Sequence, residues 1–220
     1  MKVLTDFHRA LAQDLALLAR MTSGELDRPL LEWLRVSRFP ESLALDLRGE
    51  TASSAYEMLG EAVVLLPKFG EQEGRDALSA DYAGLFLPDG YGVQAIETCW
   101  IEASLGEEIM TVAKVEAWYR QHDYTVLDRL NRPADTLAFE LGFLAHLLDG
   151  PEKEGAERVL QARLFLQQHP LCWVPRFAQK AAGVSKTPFY AGLSQLLGVY
   201  LESLDGALRQ AEDDSLSVLA

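Results

Sequence analysis

The chain has 220 residues, enough for one large domain or two small ones. Lys and Arg number 20 against 33 Asp and Glu, a formal net charge of -13, which argues against nucleic acid and anionic membrane surfaces as partners. Leu (38) and Ala (27) dominate while Ile and Val total 16, so composition favours helices over strands, and two cysteines cannot build a disulfide framework.

Leu4, Phe7, Leu11, Leu15 and Leu18 recur at three- and four-residue steps, which predicts an amphipathic helix ended by Ser23-Gly24. A second helix is expected from about Glu25 to Val36, with Pro29 tolerable only in its first turn. After a short piece near Pro40–Leu47, Thr51 or Ser53 is expected to cap a helix that carries Tyr56, Leu59, Val63 and Leu66 and stops at Pro67 and Gly70. Ala77–Phe86 continues helically, and Leu87–Ala95 is too rich in Gly and Pro to follow it. Ile109, Val112, Ala113, Glu116 and Tyr119 mark a helix to about Gln121, and residues 123–134 read as a connector.

Asp135 is expected to N-cap a helix over Thr136–Leu148. Gly150-Pro151 stops it and the next helix runs to about Gln168, where His169-Pro170 breaks the chain. A short helix over Trp173–Ala182 follows, and Thr187-Pro188 opens a long last one to about Ala211. The expectation is an all-α single helical-bundle domain of about ten helices over residues 1–211, with 212–220 a frayed tail.

Several chemistries lack their residues. Thr5, Tyr119, Phe143 and Leu166 stand three positions before the four histidines, so no Glu-x-x-His di-iron pair exists. HExxH, a GxSxG elbow and a GxxxxGK phosphate loop are absent as well. Gly90-Tyr-Gly92-Val-Gln-Ala95 matches G-x-G-x-x-A, but a helix rather than a strand is expected before it, so it reads as a loop. Neither a catalytic residue nor a metal ligand set is assigned. The longest uncharged stretch, Thr187–Leu201, has 15 residues, short of the ~20 that span a bilayer. Asp6, Arg9 and Asp14 interrupt any signal-peptide core, so a soluble, cytoplasmic protein is expected.

Charge is unevenly placed. From Asp76 to Ala113 there are seven acids (Asp76, Asp81, Asp89, Glu97, Glu102, Glu107, Glu108) and no base, whereas Arg158 to Leu201 holds five bases and no acid. Tyr82, Leu85, Phe86, Tyr91, Ile96 and Trp100 alternate with those acids. Such a surface suits a peptide with arginines and an apolar run, the carboxylates pairing with guanidinium and a groove taking the apolar part. The competing reading is a solvated helix face beside a core stripe. Trp173 and Phe177 read as core, Cys99 and Cys172 as packed thiols, and Glu140 as either a buried anchor or a groove carboxylate.

Four passages carry a resemblance. Asp81-Tyr-x-x-Leu-Phe86-Leu followed by Ile96-Glu97-Thr98-Cys99-Trp100 resembles the D-Y-x-x-L-F…Y-E-S-V-Y passage of the TorD/DmsD/NarJ chaperone family. Arg132-Pro133-Ala134-Asp135-Thr136 through Glu140 to Leu144 resembles its E-P-x-D-H-x-x-x-E-L-x-F-L signature, and His169-Pro-Leu-Cys-Trp173 and Thr187-Pro-Phe-Tyr190 resemble its H-L-x-P-W and T-P-F-Y segments. The chain departs from the family at Arg132 and Thr136, where the family has Glu and His. The resemblance implies a TorD-like all-helical cytoplasmic chaperone for a molybdenum-cofactor oxidoreductase, binding the catalytic subunit or its twin-arginine signal peptide until cofactor is inserted.

It also implies no stoichiometric cofactor, leaves transient contact with molybdenum cofactor or GTP open, and fits a monomer or a helix-swapped homodimer. A GTP-binding or GTP-hydrolysing helical protein and a structural subunit of a redox complex are the alternatives. Together with the charge pattern, the resemblance puts client binding on Asp81, Tyr82, Leu85, Phe86, Ile96, Glu97 and Trp100. The turn beyond them adds Arg132, Pro133, Asp135, Thr136 and Glu140.

Overall fold

The computed structural model describes residues 2–66, 72–88, 90–101, 105–126, 128, 131–151 and 154–219. Among them run nine α-helices: α1 (Lys2–Ser23), α2 (Arg28–Val36), α3 (Glu50–Val64), α4 (Gln72–Phe86), α5 (Leu105–Gln121), α6 (Leu137–Leu148), α7 (Gly155–Gln168), α8 (Pro170–Val184) and α9 (Pro188–Leu219). A 3-10 turn spans Glu97–Cys99, and the described residues hold no strand, only one antiparallel bridge between Ile96 and Thr136. The all-α expectation holds.

Helix α6 explains the arrangement. Ten of its twelve residues, from Leu137 to Leu148, are buried, and a helix that is apolar on all sides must be surrounded. Helix α1 lies along it with Leu11, Leu15 and Leu18 fully buried, and α7 and α8 close other sides. Helix α9 packs on α3, α7 and α8, and Leu193, Leu197, Tyr200, Leu204 and Leu208 repeat at helical spacing along its buried side.

Several helix ends differ from expectation for local reasons. Helix α2 starts at Arg28, because the Asp27 carboxylate accepts the Leu30 N–H at 3.0 Å and Pro29 falls in the first turn. Neither Thr51 nor Ser53 caps α3. Gly49 does, at φ 101, a left-handed conformation that favours glycine. Asp135 is not the cap of α6: Thr136 holds that position, and the Asp135 carboxylate accepts instead from the Thr98 N–H at 2.9 Å.

Helix α8 begins at Pro170, before the Trp173 expected, since Pro fits a first turn. Helix α9 runs beyond Ala211 to Leu219, and Arg163 of α7 pairs with its Asp205 at 3.2 Å and its Glu212 at 2.7 Å. Trp173 and Phe177 are core, as expected. Cys99 and Cys172, expected to be packed, are exposed thiols. The stop at Pro67 and Gly70 lies outside the described residues.

Candidate functional site

The family-like passages meet at one joint. Residues 87–88 and 90–101 form a strap between α4 and α5, and its last part pairs with the turn before α6. The Glu97 N–H donates to the Asp135 carbonyl at 3.0 Å and the Leu137 N–H to the Ala95 carbonyl at 2.9 Å. With the Asp135 carboxylate taking the Thr98 N–H, three bonds hold 95–98 on 135–137. Tyr119 of α5 donates its hydroxyl to the Ala134 carbonyl at 2.9 Å and fixes the turn from the other side.

Beneath the joint lies a buried polar cluster. The Glu97 carboxylate, 3% exposed, accepts from His169 Nδ1 at 2.9 Å. Glu140, fully buried, accepts from Trp173 Nε1 at 3.1 Å, while its Oε1 meets no donor among the described residues. One donor atom from each of Glu97, Glu140 and His169 lies within 4.8 Å of the others. Burial, reinforced by the negative charge of Glu97, holds the Glu140 carboxyl well above the usual carboxylate range. In its protonated form Glu140 can donate toward Glu97, whose charge opposes the ionisation of Glu140. Burial raises Asp135 too, opposed by its bond from Thr98.

The strap is clamped on its other side by bases. Arg176 donates to the Trp100 carbonyl, Lys180 lies over the Trp100 ring at 5.7 Å and bonds the Gly92 carbonyl at 3.3 Å, and Lys186 lies over the Tyr91 ring at 5.6 Å. The base-rich second half of the chain thus packs on the acid-rich segment. Gly84 makes the strap's close approach to α4 feasible: a Cβ there would fall 2.4 Å from the Tyr91 ring.

Of the twelve residues expected to contact a client, eight are buried: Asp81, Tyr82, Leu85, Phe86, Glu97, Asp135, Thr136 and Glu140. Asp81 accepts from the Lys186 and Thr187 N–H groups (2.9 and 2.7 Å) and from the Thr187 hydroxyl (2.6 Å), tying α4 to the turn before α9. Phe86 packs between Tyr82, Phe177 and Tyr190, at 5.5, 6.2 and 6.0 Å between rings. Thr136 donates its hydroxyl to the Pro133 carbonyl at 2.7 Å. Glu140 is therefore the anchor, not a groove carboxylate.

Ile96, Trp100 and Arg132 are half-buried and Pro133 is exposed. Trp100 sets its edge on Phe177 at 5.8 Å and donates its indole N–H to the Gln94 carbonyl at 2.6 Å. Arg132 is held by Asp128 at 3.1 Å and by the Ser23 carbonyl at 3.1 Å, over the Phe139 ring. Of the seven acids, Asp76 is exposed and Asp81 and Glu97 are internal; Asp89, Glu102 and the side chains of Glu107 and Glu108 lie outside the described residues.

Sequence reasoning missed His169 and Trp173 as partners of the two glutamates. Their signal was present in the His169-to-Trp173 passage, which the fold sets under the strap.

An all-α bundle with a strap docked over buried acids is a protein-packing architecture. Residues 51–179 match the family model described as nitrate reductase delta subunit. That is more than half of the chain, and the chain belongs to this family. It is also similar to proteins named chaperone protein TorD, as the four passages implied. That of Vibrio vulnificus (strain YJ016) is 30% identical over 134 residues, 57% of this chain and 61% of the relative, so the match spans about three fifths of that protein. Those of Vibrio atlanticus (strain LGP32), at 29% over 154 residues (67% and 71%), and Aliivibrio fischeri (strain ATCC 700601 / ES114), at 26% over 212 residues (92% and 96%), match over more. These relatives are named as chaperones, not as enzymes. No helix among the described residues is long and apolar enough to cross a membrane.

Proposed function

We propose that this chain is a maturation chaperone and not an enzyme. It binds the apo catalytic subunit of a molybdenum-cofactor oxidoreductase, its twin-arginine signal peptide, or both, and assists cofactor insertion before export. The observation that carries the reading is the membership of the nitrate reductase delta subunit family, joined to relatives named chaperone protein TorD. The joint of 95–98 with 135–137 supports it, because that joint unites two of the family-like passages.

The contact surface in this reading is the rim of the joint, Ile96, Trp100 and Pro133, with Phe177 packed between Trp100 and Phe86. The buried carboxyls hold that rim in place instead of touching the ligand. Apolar burial, at ~25 cal/mol per Å², supplies most of the affinity, and remaining surface charge sets the association rate. Any molybdenum cofactor or GTP is a transient visitor, and the protein works in the cytoplasm as a monomer or helix-swapped dimer.

Titration calorimetry with a twin-arginine peptide tests this. Trp100→Ala should weaken binding about tenfold, the loss of ~1.4 kcal/mol from a half-buried aromatic contact, while melting within a few degrees of wild type. Unchanged affinity would move the site off the rim. Micromolar GTP binding in equilibrium dialysis without peptide would favour the nucleotide alternative.

A further inference from the structure

The two cysteines of the chain, Cys99 and Cys172, stand seventy-three positions apart, yet the fold sets their segments side by side. Strap residues 97–100 run along the start of α8 and are fastened to it at two places. At the first, Glu97 takes the bond from His169 Nδ1 at 2.9 Å. At the second, Trp100 sets its edge on Phe177 at 5.8 Å. There one guanidinium nitrogen of Arg176 also donates to the Trp100 carbonyl and, at 3.4 Å, to the Cys172 carbonyl. Cys99 lies between the two fastened residues of the strap, and Cys172 lies between those of the α8 segment.

The two segments are close enough for a covalent bridge. Cα atoms of the turn Glu97–Cys99 come within 8 Å of Cα atoms of α8. Two oxygens bonded by one nitrogen are at most ~7 Å apart, and the carbonyls of residues 100 and 172 are such a pair. A disulfide spans Cα atoms about 4.4–6.8 Å apart, a separation inside both limits.

Both side chains are also open to reagents, since Cys99 and Cys172 are exposed. The Cys99 thiol donates to Gln94 Oε1 at 3.2 Å and the Cys172 thiol to the Gln167 carbonyl at 3.2 Å. Thiols are weak donors, so these bonds do not hold the sulfurs against exchange. Burial and the Glu97 charge raise the Cys172 thiol, against Arg176. Cys172 is therefore suited to an intramolecular second step, where proximity makes up for a small thiolate fraction.

We propose that Cys99 and Cys172 form a reversible disulfide that latches the strap onto α8 and makes the strap a thiol-redox switch. The reactant is a low-molecular-weight disulfide such as oxidised glutathione. The Cys99 thiolate attacks one of its sulfurs, the S–S bond breaks, and one glutathione thiolate leaves. The Cys172 thiolate then attacks Cys99 Sγ, the mixed disulfide breaks, and the second glutathione thiolate leaves. The two cysteine protons end on the two departing thiols. The protein loses two electrons and two protons, and the glutathione disulfide gains both. In a reducing compartment such a bond is transient and sensing, not structural. The closed form holds the strap, and with it the Trp100 ring beside Cys99, on α8; the reduced form leaves it to the non-covalent fasteners. The latch stands apart from the chaperone reading, and its test uses no client peptide.

The folded full chain is incubated with excess oxidised glutathione, remaining thiols are blocked with N-ethylmaleimide, and the intact mass is read. The expected product is a monomer lighter by two hydrogens, carrying neither maleimide nor glutathione, with Cys99 joined to Cys172 in the peptide map. Dithiothreitol should reverse it. Closing a loop of this length should raise the melting temperature by about 5–10 °C, and amide hydrogen exchange in the strap should slow about tenfold or more. Cys99→Ser and Cys172→Ser should each give one glutathione adduct and no such shift; both sites are exposed, and circular dichroism melts confirm that the variants fold.

Two stable glutathione adducts on the wild-type chain, a disulfide between two chains, or closure that requires urea would each overturn the proposal. So would a Cys99–Cys172 bond that leaves the melting temperature and the strap exchange unchanged, because the strap would then not be latched.

Discussion

Replacing Glu140 by Gln should make the protein less sensitive to alkali and no less stable at neutral pH. The carboxyl is fully buried, faces Glu97, and takes one bond from Trp173. Its folded-state value is raised by burial first and by Glu97 second. The sign follows from proton linkage. Above the ordinary glutamate range the unfolded chain has lost this proton while the folded chain still holds it, so the folded state binds more protons. Stability from this group is complete below the ordinary value and is lost as pH rises through the raised one.

While the two states differ by one proton, the slope is about 1.4 kcal/mol per pH unit. Gln keeps the shape, accepts the Trp173 N–H with its oxygen, and donates to Glu97 with its amide. Urea denaturation of wild type and Glu140→Gln from pH 5 to pH 9 should therefore give diverging curves, the variant flatter by up to that slope. Asp135 and Asp14 are also raised by burial and tilt both curves alike, so the difference isolates Glu140. Glu140→Leu supplies the control: it strands the Trp173 N–H and should cost about 1–3 kcal/mol. Parallel curves for wild type and Glu140→Gln would refute the protonated-carboxyl argument.

Asp81→Ala strips the acceptor from two backbone N–H groups and one hydroxyl at the α8–α9 turn, and should lower stability in thermal melts by about 3 kcal/mol. Gly84→Ala puts a Cβ 2.4 Å from the Tyr91 ring, so the strap must shift; a loss of about 1–3 kcal/mol is expected, with increased Trp100 fluorescence quenching by iodide as the strap loosens. Dialysis against a chelator should leave the melting temperature unchanged, because Glu97 is already bonded by His169 and Glu140 by Trp173. One tightly held metal per chain in elemental analysis would contradict that.

Much was legible in the sequence by itself. Leucine at three- and four-residue steps, with few β-branched residues, can bury an apolar side only as helices, and Pro29, His169-Pro170 and Thr187-Pro188 punctuate them where the backbone loses a donor. Four short passages in a set order sufficed for the family. The charge pattern was legible too, but its meaning was not. Clustered acids between Asp76 and Ala113 read as an outward face, since carboxylates ordinarily stay in water. A pattern along the chain carries no information on what lies across from it.

Only the tertiary structure decided that. Asp81 finds its donors more than a hundred positions away, at Lys186 and Thr187, and Glu97 finds His169 seventy-two positions away. Partners so distant in sequence leave no local periodicity, yet they remove the cost of burying a charge. Asp135 shows the same competition on a small scale: its sequence position suits a helix cap, but the strap brings the Thr98 N–H within 2.9 Å. Of the acids that looked like a binding face, Asp81 and Glu97 became internal because the fold supplied donors for them.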